Sequence, residues 1–107
     1  MGQFGQLEKL NITISASSAK SADESYTAQL LAKGVEKCAK KFGEEAVELA
    51  IATVQGKRVE ATKEAADVFY HLLVLLKSAG ITPEDVMAEL KHREGTSGLV
   101  EKAARKT

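Results

Sequence analysis

The sequence predicts an all-α fold: a bundle of four to five helices, completed by pairing with a second copy of the chain. Three observations carry this. Apolar residues recur at helical spacing through most of the chain. No alternation of apolar and polar residues is long enough for a strand. The single proline, Pro83, stands where a helix would begin.

Phe4, Leu7, Leu10 and Ile14 have helical spacing, but Asn11, Thr13 and the Ser-rich run at 15–22 weaken it. Residues 1–24 therefore read as a short N-terminal helix or a weakly ordered segment. Ser25 can cap a helix through Thr27, Leu30 and Leu31 that ends near Gly34. The first long helix spans 35–54, with Val35, Cys38, Ala39, Phe42, Ala46, Leu49 and Ala50 as its apolar stripe. Gly43 inside it costs about 1 kcal/mol relative to Ala, and marks either a close backbone approach or a kink. After a break at Gln55-Gly56-Lys57 a second long helix runs over 58–79. From Val68 onward it is apolar all round, with Leu73 and Val74 at outward positions, so burial on more than one side is expected, in a homodimer. Gly80 ends it. Thr82 as N-cap, Pro83 in the first turn and the acids Glu84 and Asp85 open a last helix. That helix turns Val86 and Leu90 inward and stops by Gly95. Residues 96–107 form a charged tail, partly ordered at best.

At 107 residues the chain is a single domain with a modest core. Fifteen basic residues balance fifteen acidic ones, so no global charge draws it to nucleic acid or an anionic membrane. Any partner is bound through a local patch. The lone Cys38 cannot form an internal disulfide, and its simplest role is an idle or buried thiol in a reducing compartment. With no 18-residue apolar run and no signal-peptide pattern, a cytoplasmic protein is expected. Asn11-Ile12-Thr13 is then a chance sequon.

Chemistry is concentrated in two acidic clusters: Glu44, Glu45 and Glu48 before the break, Glu64 and Asp67 after it. Counted from Gly56, Glu48 and Glu64 are each eight residues away, Glu45 and Asp67 each eleven. In an antiparallel hairpin the pairs lie level, roughly 12 to 17 Å from the turn, with each cluster on one helix face. Alone, GEEAVE reads as an ordinary solvated face. A second cluster at matching depth, just before the most apolar stretch, makes uncompensated acids costly and points to a hard cation such as Mg²⁺. Lys33, Lys37, Lys40 and Lys41 share a basic stripe beside the acids if the helix continues through Gly34. Such a stripe suits a polyphosphate, although each lysine by itself is equally an ordinary surface charge. Lys40 and Lys41 point in different directions, so one of them reaches the site. His71, four residues after Asp67, is either a satisfied core histidine or an orienting partner for a carboxylate. His92 fits a solvated charge at a helix C-terminus. No Gly-rich phosphate loop, Ser/His/Asp arrangement or Cys/His cluster is present.

The runs SYTAQLLAKGVEKCAKKFGEEAVELAIA, EAADVFYHLLVLL and ITPEDVMAELKHREG together resemble the phosphoribosyl-ATP pyrophosphatases of histidine biosynthesis. Glu45 with Glu48, and Glu64 with Asp67, are similar to the ExxE and ExxD pair of the wider all-α nucleotide pyrophosphohydrolase group. The likeness covers about residues 25–95; the first 24 depart from it. It implies Mg²⁺-dependent hydrolysis of the α–β phosphoanhydride of phosphoribosyl-ATP, by a homodimer without an attached cyclohydrolase domain. In that reading Glu45, Glu48, Glu64 and Asp67 hold the metal, Glu44 and Glu45 are the catalytic candidates, and Glu44, beside the ligands, is either an outer acid or the general base. Lys33, Lys37, Lys40 and Lys41 are the phosphate-binding candidates, with Lys37 and Lys41 set to stabilise the leaving pyrophosphate. Ser25, Tyr26, Thr27 and Tyr70 are candidate contacts to the second sugar phosphate. Two alternatives stand beside it: a house-cleaning nucleoside triphosphate pyrophosphohydrolase and a non-catalytic helical dimerisation module.

Overall fold

The computed structural model describes residues 2–95 together with Gly98 and Lys102. Five α-helices follow in order: α1 (Gly5–Ser18), α2 (Tyr26–Ala32), α3 (Val35–Val54), α4 (Arg58–Ser78) and α5 (Pro83–His92). No strand occurs among the described residues, and the all-α expectation holds. The expected tail, 96–107, lies almost wholly outside them.

The two long helices form an antiparallel hairpin, and its turn is set by backbone chemistry. Gly56 adopts φ 71°, which costs glycine little. Around it Gly56 N–H donates to the Thr53 carbonyl at 3.1 Å and Lys57 N–H to Ala52 at 3.0 Å. These bonds close α3 in a Schellman motif. The same device ends α4 at Gly80, where Ile81 N–H reaches the Leu76 carbonyl at 2.9 Å. α5 starts on a reciprocal capping box: Thr82 Oγ1 accepts from Asp85 N–H at 3.1 Å, and Asp85 Oδ2 accepts from Thr82 N–H at 3.0 Å. Ser25 caps α2, its Oγ accepting from Ala28 N–H at 3.2 Å.

Four helices meet in the core, and each sends one side chain: Ile14 from α1, Leu30 from α2, Cys38 from α3 and Val74 from α4. Leu10, Leu31, Tyr70, Leu73 and Leu75 pack around them. The Cys38 thiol points to the Leu30 carbonyl at 3.4 Å, which makes it a structural group.

Four expectations change. α1 continues through Ser15–Ser18, longer than the short helix expected, because Ile14 is anchored in the core; the hydroxyls of Thr13 and Ser18 bond back to the Lys9 and Ser15 carbonyls. Val74 is not outward: it is 0% exposed, since α1 and α2 cover the side of α4 that would otherwise face water. α5 turns through 103° from α4 and buries no residue, so Leu90 is exposed rather than inward and Val86 is half-buried. α3 continues through Gly43, and a side chain there would meet nothing within 4 Å, so no close approach demands the glycine.

Candidate active site

One spacing runs along both helices of the hairpin when positions are counted from Gly56. Along α3 come Cys38, Lys41, Glu45 and Glu48; along α4 come Val74, His71, Asp67 and Glu64. The first pair belongs to the core and the last to the acidic cluster, so polarity rises stepwise toward the turn.

Glu45, Glu48 and Glu64 each offer an oxygen within 4.8 Å of the others. Three ionised carboxylates at that spacing repel one another and contain no donor. Glu64 bears the conflict: its Oε2 is buried with no hydrogen-bond partner. Burial, then the hydrogen bonds that a protonated Glu64 could donate to Glu45 and Glu48, then their charges, push its carboxyl up to about 7. The donor set fits a hard divalent cation: all oxygen, all carboxylate, drawn from two helices, with one buried oxygen lacking a proton donor. Asp67 stays outside the 4.8 Å trio; its side chain is exposed, and its charge acts on His71.

Lys41 stands at the edge of the cluster, 3.7 Å from Glu44 and 3.9 Å from Glu45. Glu44 lies on the more exposed side, whereas Glu45 keeps only 14% of its side chain in water. Lys37 is half-buried one turn earlier; Lys40 is exposed. The stripe that would include Lys33 does not form, because the chain breaks at Gly34 (φ 93°) and Lys33 caps the end of α2 instead. Of the hydroxyls expected near substrate, three have internal partners or roles. Ser25 is the α2 cap, and Thr27 Oγ1 and the Tyr70 hydroxyl share a 2.6 Å bond that ties α2 to α4. Burial pushes the Tyr70 phenol up, so it keeps its proton in that bond. Tyr26 is about half exposed and stacks on Tyr70 with ring centroids 6.4 Å apart.

Two features escaped the sequence reading. A cleft of about 220 Å³ opens beside the cluster, lined by Glu48, Ile51, Ala52, Gln55, Glu60 and Glu64. Glu60 could have been found as the carboxylate one turn before Glu64. His71 is buried as a core residue would be, yet its Nδ1 has no partner. A sequence gives no signal for that.

Residues 7–94 match the family model described as phosphoribosyl-ATP pyrophosphohydrolase. The chain belongs to that family. The match includes most of α1, which the resemblance in sequence had left out. Among curated relatives, the phosphoribosyl-ATP pyrophosphatase of Cereibacter sphaeroides is 57% identical over 99 residues, covering 92% of this chain and 96% of its own. That of Dinoroseobacter shibae is 56% identical over 99 residues, with 92% and 97% covered. That of Methylobacterium nodulans is 57% identical over 100 residues, with 94% of each covered. Among the described residues no single helix is long and apolar enough to cross a membrane.

Proposed function

We propose that the chain is a Mg²⁺-dependent phosphoribosyl-ATP pyrophosphatase, splitting its substrate with water into phosphoribosyl-AMP and pyrophosphate. The observation that carries the reading is that Glu64, which has a buried oxygen without a donor, is grouped with Glu45 and Glu48 within 4.8 Å, in a chain of this family. Glu45, Glu48 and Glu64 would hold the cation, with Asp67 joining them by a side-chain rotation from its exposed position. Bound there, a divalent ion neutralises phosphate charge and lowers the pKa of a coordinated water. The remaining work falls to the chain. Lys41, already held at the cluster edge by Glu44 and Glu45, can turn to the phosphate that leaves, with Lys37 one turn behind it. Glu44, on the open side, is placed to accept the proton of the attacking water. Farther from the turn the same hairpin is closed by the buried apolar residues Cys38 and Val74.

The working form is a homodimer acting in the cytoplasm on a small-molecule nucleotide. Support for the second copy comes from α3, where Val47, Ile51 and Val54 form an i, i+4, i+7 stripe at 58%, 51% and 87% exposure, with Phe69 of α4 also exposed. Pyrophosphate release from phosphoribosyl-ATP is the deciding assay, run beside ATP, dCTP and dUTP with Mg²⁺. A large preference for phosphoribosyl-ATP is expected. Equal efficiency on a plain triphosphate would replace this reading by house-cleaning hydrolysis, and no release from any of them would leave a dimerisation module.

A further inference from the structure

Among the described residues only two half-buried or buried side chains carry a buried polar atom without a partner, Glu64 and His71. They stand seven residues apart on α4, two turns or about 10 Å along one face. His71 is 6% exposed. Its ring meets Tyr70 edge-on at 4.9 Å and Tyr26 at 6.5 Å, and Tyr70 is itself fixed by the 2.6 Å bond to Thr27. The imidazole is thus clamped between α2 and α4 with its Nδ1 unfilled. For packing alone a phenyl ring would serve better there, since a buried nitrogen without a hydrogen bond is destabilising.

Besides burial, the charges that act on His71 come from Glu45, Lys41, Asp67 and Glu44, the charged groups in and beside the acidic cluster. Glu45 has one ion pair among the described residues, a long 3.9 Å contact to Lys41. If Lys41 is drawn to a phosphate, Glu45 loses it. We propose that His71 is a positioning residue that then takes over Glu45: its Nδ1–H donates to the Glu45 carboxylate and fixes which oxygen turns toward Glu48 and Glu64. This inference rests on the pyrophosphatase reading for its phosphate, while the His71–Glu45 bond can be tested with the cation alone. Outer partners of this kind set the orientation of carboxylate ligands.

Three variants separate positioning from packing. In His71→Asn the side-chain amide stands near the Nδ1 position; in His71→Gln it reaches the Nε2 position; His71→Phe keeps the ring and removes both nitrogens. Each is melted without metal, titrated calorimetrically with Mg²⁺, and assayed for kcat and KM. His71→Phe is expected to melt at or above the wild-type temperature, yet to lose about 10- to 100-fold in Mg²⁺ affinity and in kcat, with KM little changed. His71→Gln should lose as much, and His71→Asn should recover most of it. Wild-type Mg²⁺ affinity in His71→Phe, or a better recovery by Gln than by Asn, overturns the proposal. Should His71→Phe fail to fold, the Asn and Gln pair decides. If the wild-type protein releases no pyrophosphate from phosphoribosyl-ATP, the functional reading falls, and the Mg²⁺ titrations still decide the role of His71.

Discussion

The two ends of the α3–α4 hairpin use the same helices for opposite purposes. At the open end Cys38 and Val74 close a core that α1 and α2 cover with Ile14 and Leu30. Toward the turn Glu45, Glu48 and Glu64 crowd together, and Val47, Ile51 and Val54 remain exposed. One end is stable because its groups are alike and dry; the other gathers groups that repel. The acidic end is held in place by the core end, through helices that run continuously between them. Conflict of this kind, offset elsewhere in the fold, is common at functional sites.

That contrast can be broken at either end. The largest effect is expected at the acids. Glu48→Gln or Glu64→Gln should lower pyrophosphate release by more than about 100-fold, beyond the loss typical of an outer hydrogen-bond partner, while circular dichroism stays helical. Glu64→Gln should also raise the melting temperature at pH 8 without metal, because it removes a crowded charge and adds a donor. A lowered melting temperature there would contradict the conflict assigned to Glu64. Next comes the uncovered stripe. Ile51→Glu places a charge where the second copy is proposed to sit, and light scattering should then report a monomer in place of a dimer. An unchanged dimer would move the interface elsewhere.

At the core end the effect is on stability and not on chemistry. Val74→Ala, at a fully buried position, should cost about 2 kcal/mol in denaturant unfolding and leave turnover at 25 °C within about threefold. The smallest effect is a pH dependence. The Glu64 carboxyl is raised from 4.5 to about 7, so the folded state binds its proton more tightly than the unfolded chain does. Its contribution is fully present below 4.5 and is lost as pH rises through 7. Melting temperatures without metal should therefore carry a downward component across that range. Mg²⁺ competes with the same proton, so its stabilising shift should grow from pH 6 to 8, and a chelator should abolish it.

Much of this was legible in the chain. The boundaries of α3, α4 and α5 follow from Gly56, Gly80 and the Thr82-Pro83 start, because caps are local chemistry. The equal spacing about Gly56 anticipated that Glu48 and Glu64 meet, but not that Glu45 joins them while Asp67, its expected partner, stays aside. Spacing gives the face of a helix and not the rotamer. α1 was underestimated because Ser and Thr have weak helix propensity, and its Ile14 anchor is a contact with residues far along the chain. Val74 was misplaced for the same reason: which side of an all-apolar helix is covered depends on where α1 and α2 land. Lys33 dropped out through one backbone angle at Gly34.

The turn at Gly56 has a consequence for how the chain tolerates changes in length. An extra residue at Gln55–Lys57 can bulge into solvent, as surface connections commonly allow. The same residue inserted farther along α4, between Val68 and Tyr70, displaces Glu64 by about 1.5 Å and about 100° around the helix relative to the core-anchored Val74. The inserted residue would touch neither acid cluster, yet Glu64 would no longer face Glu45 and Glu48. The stretch of α4 between the acids and Val74 therefore works as a measured spacer, in which the number of residues matters as much as their identity.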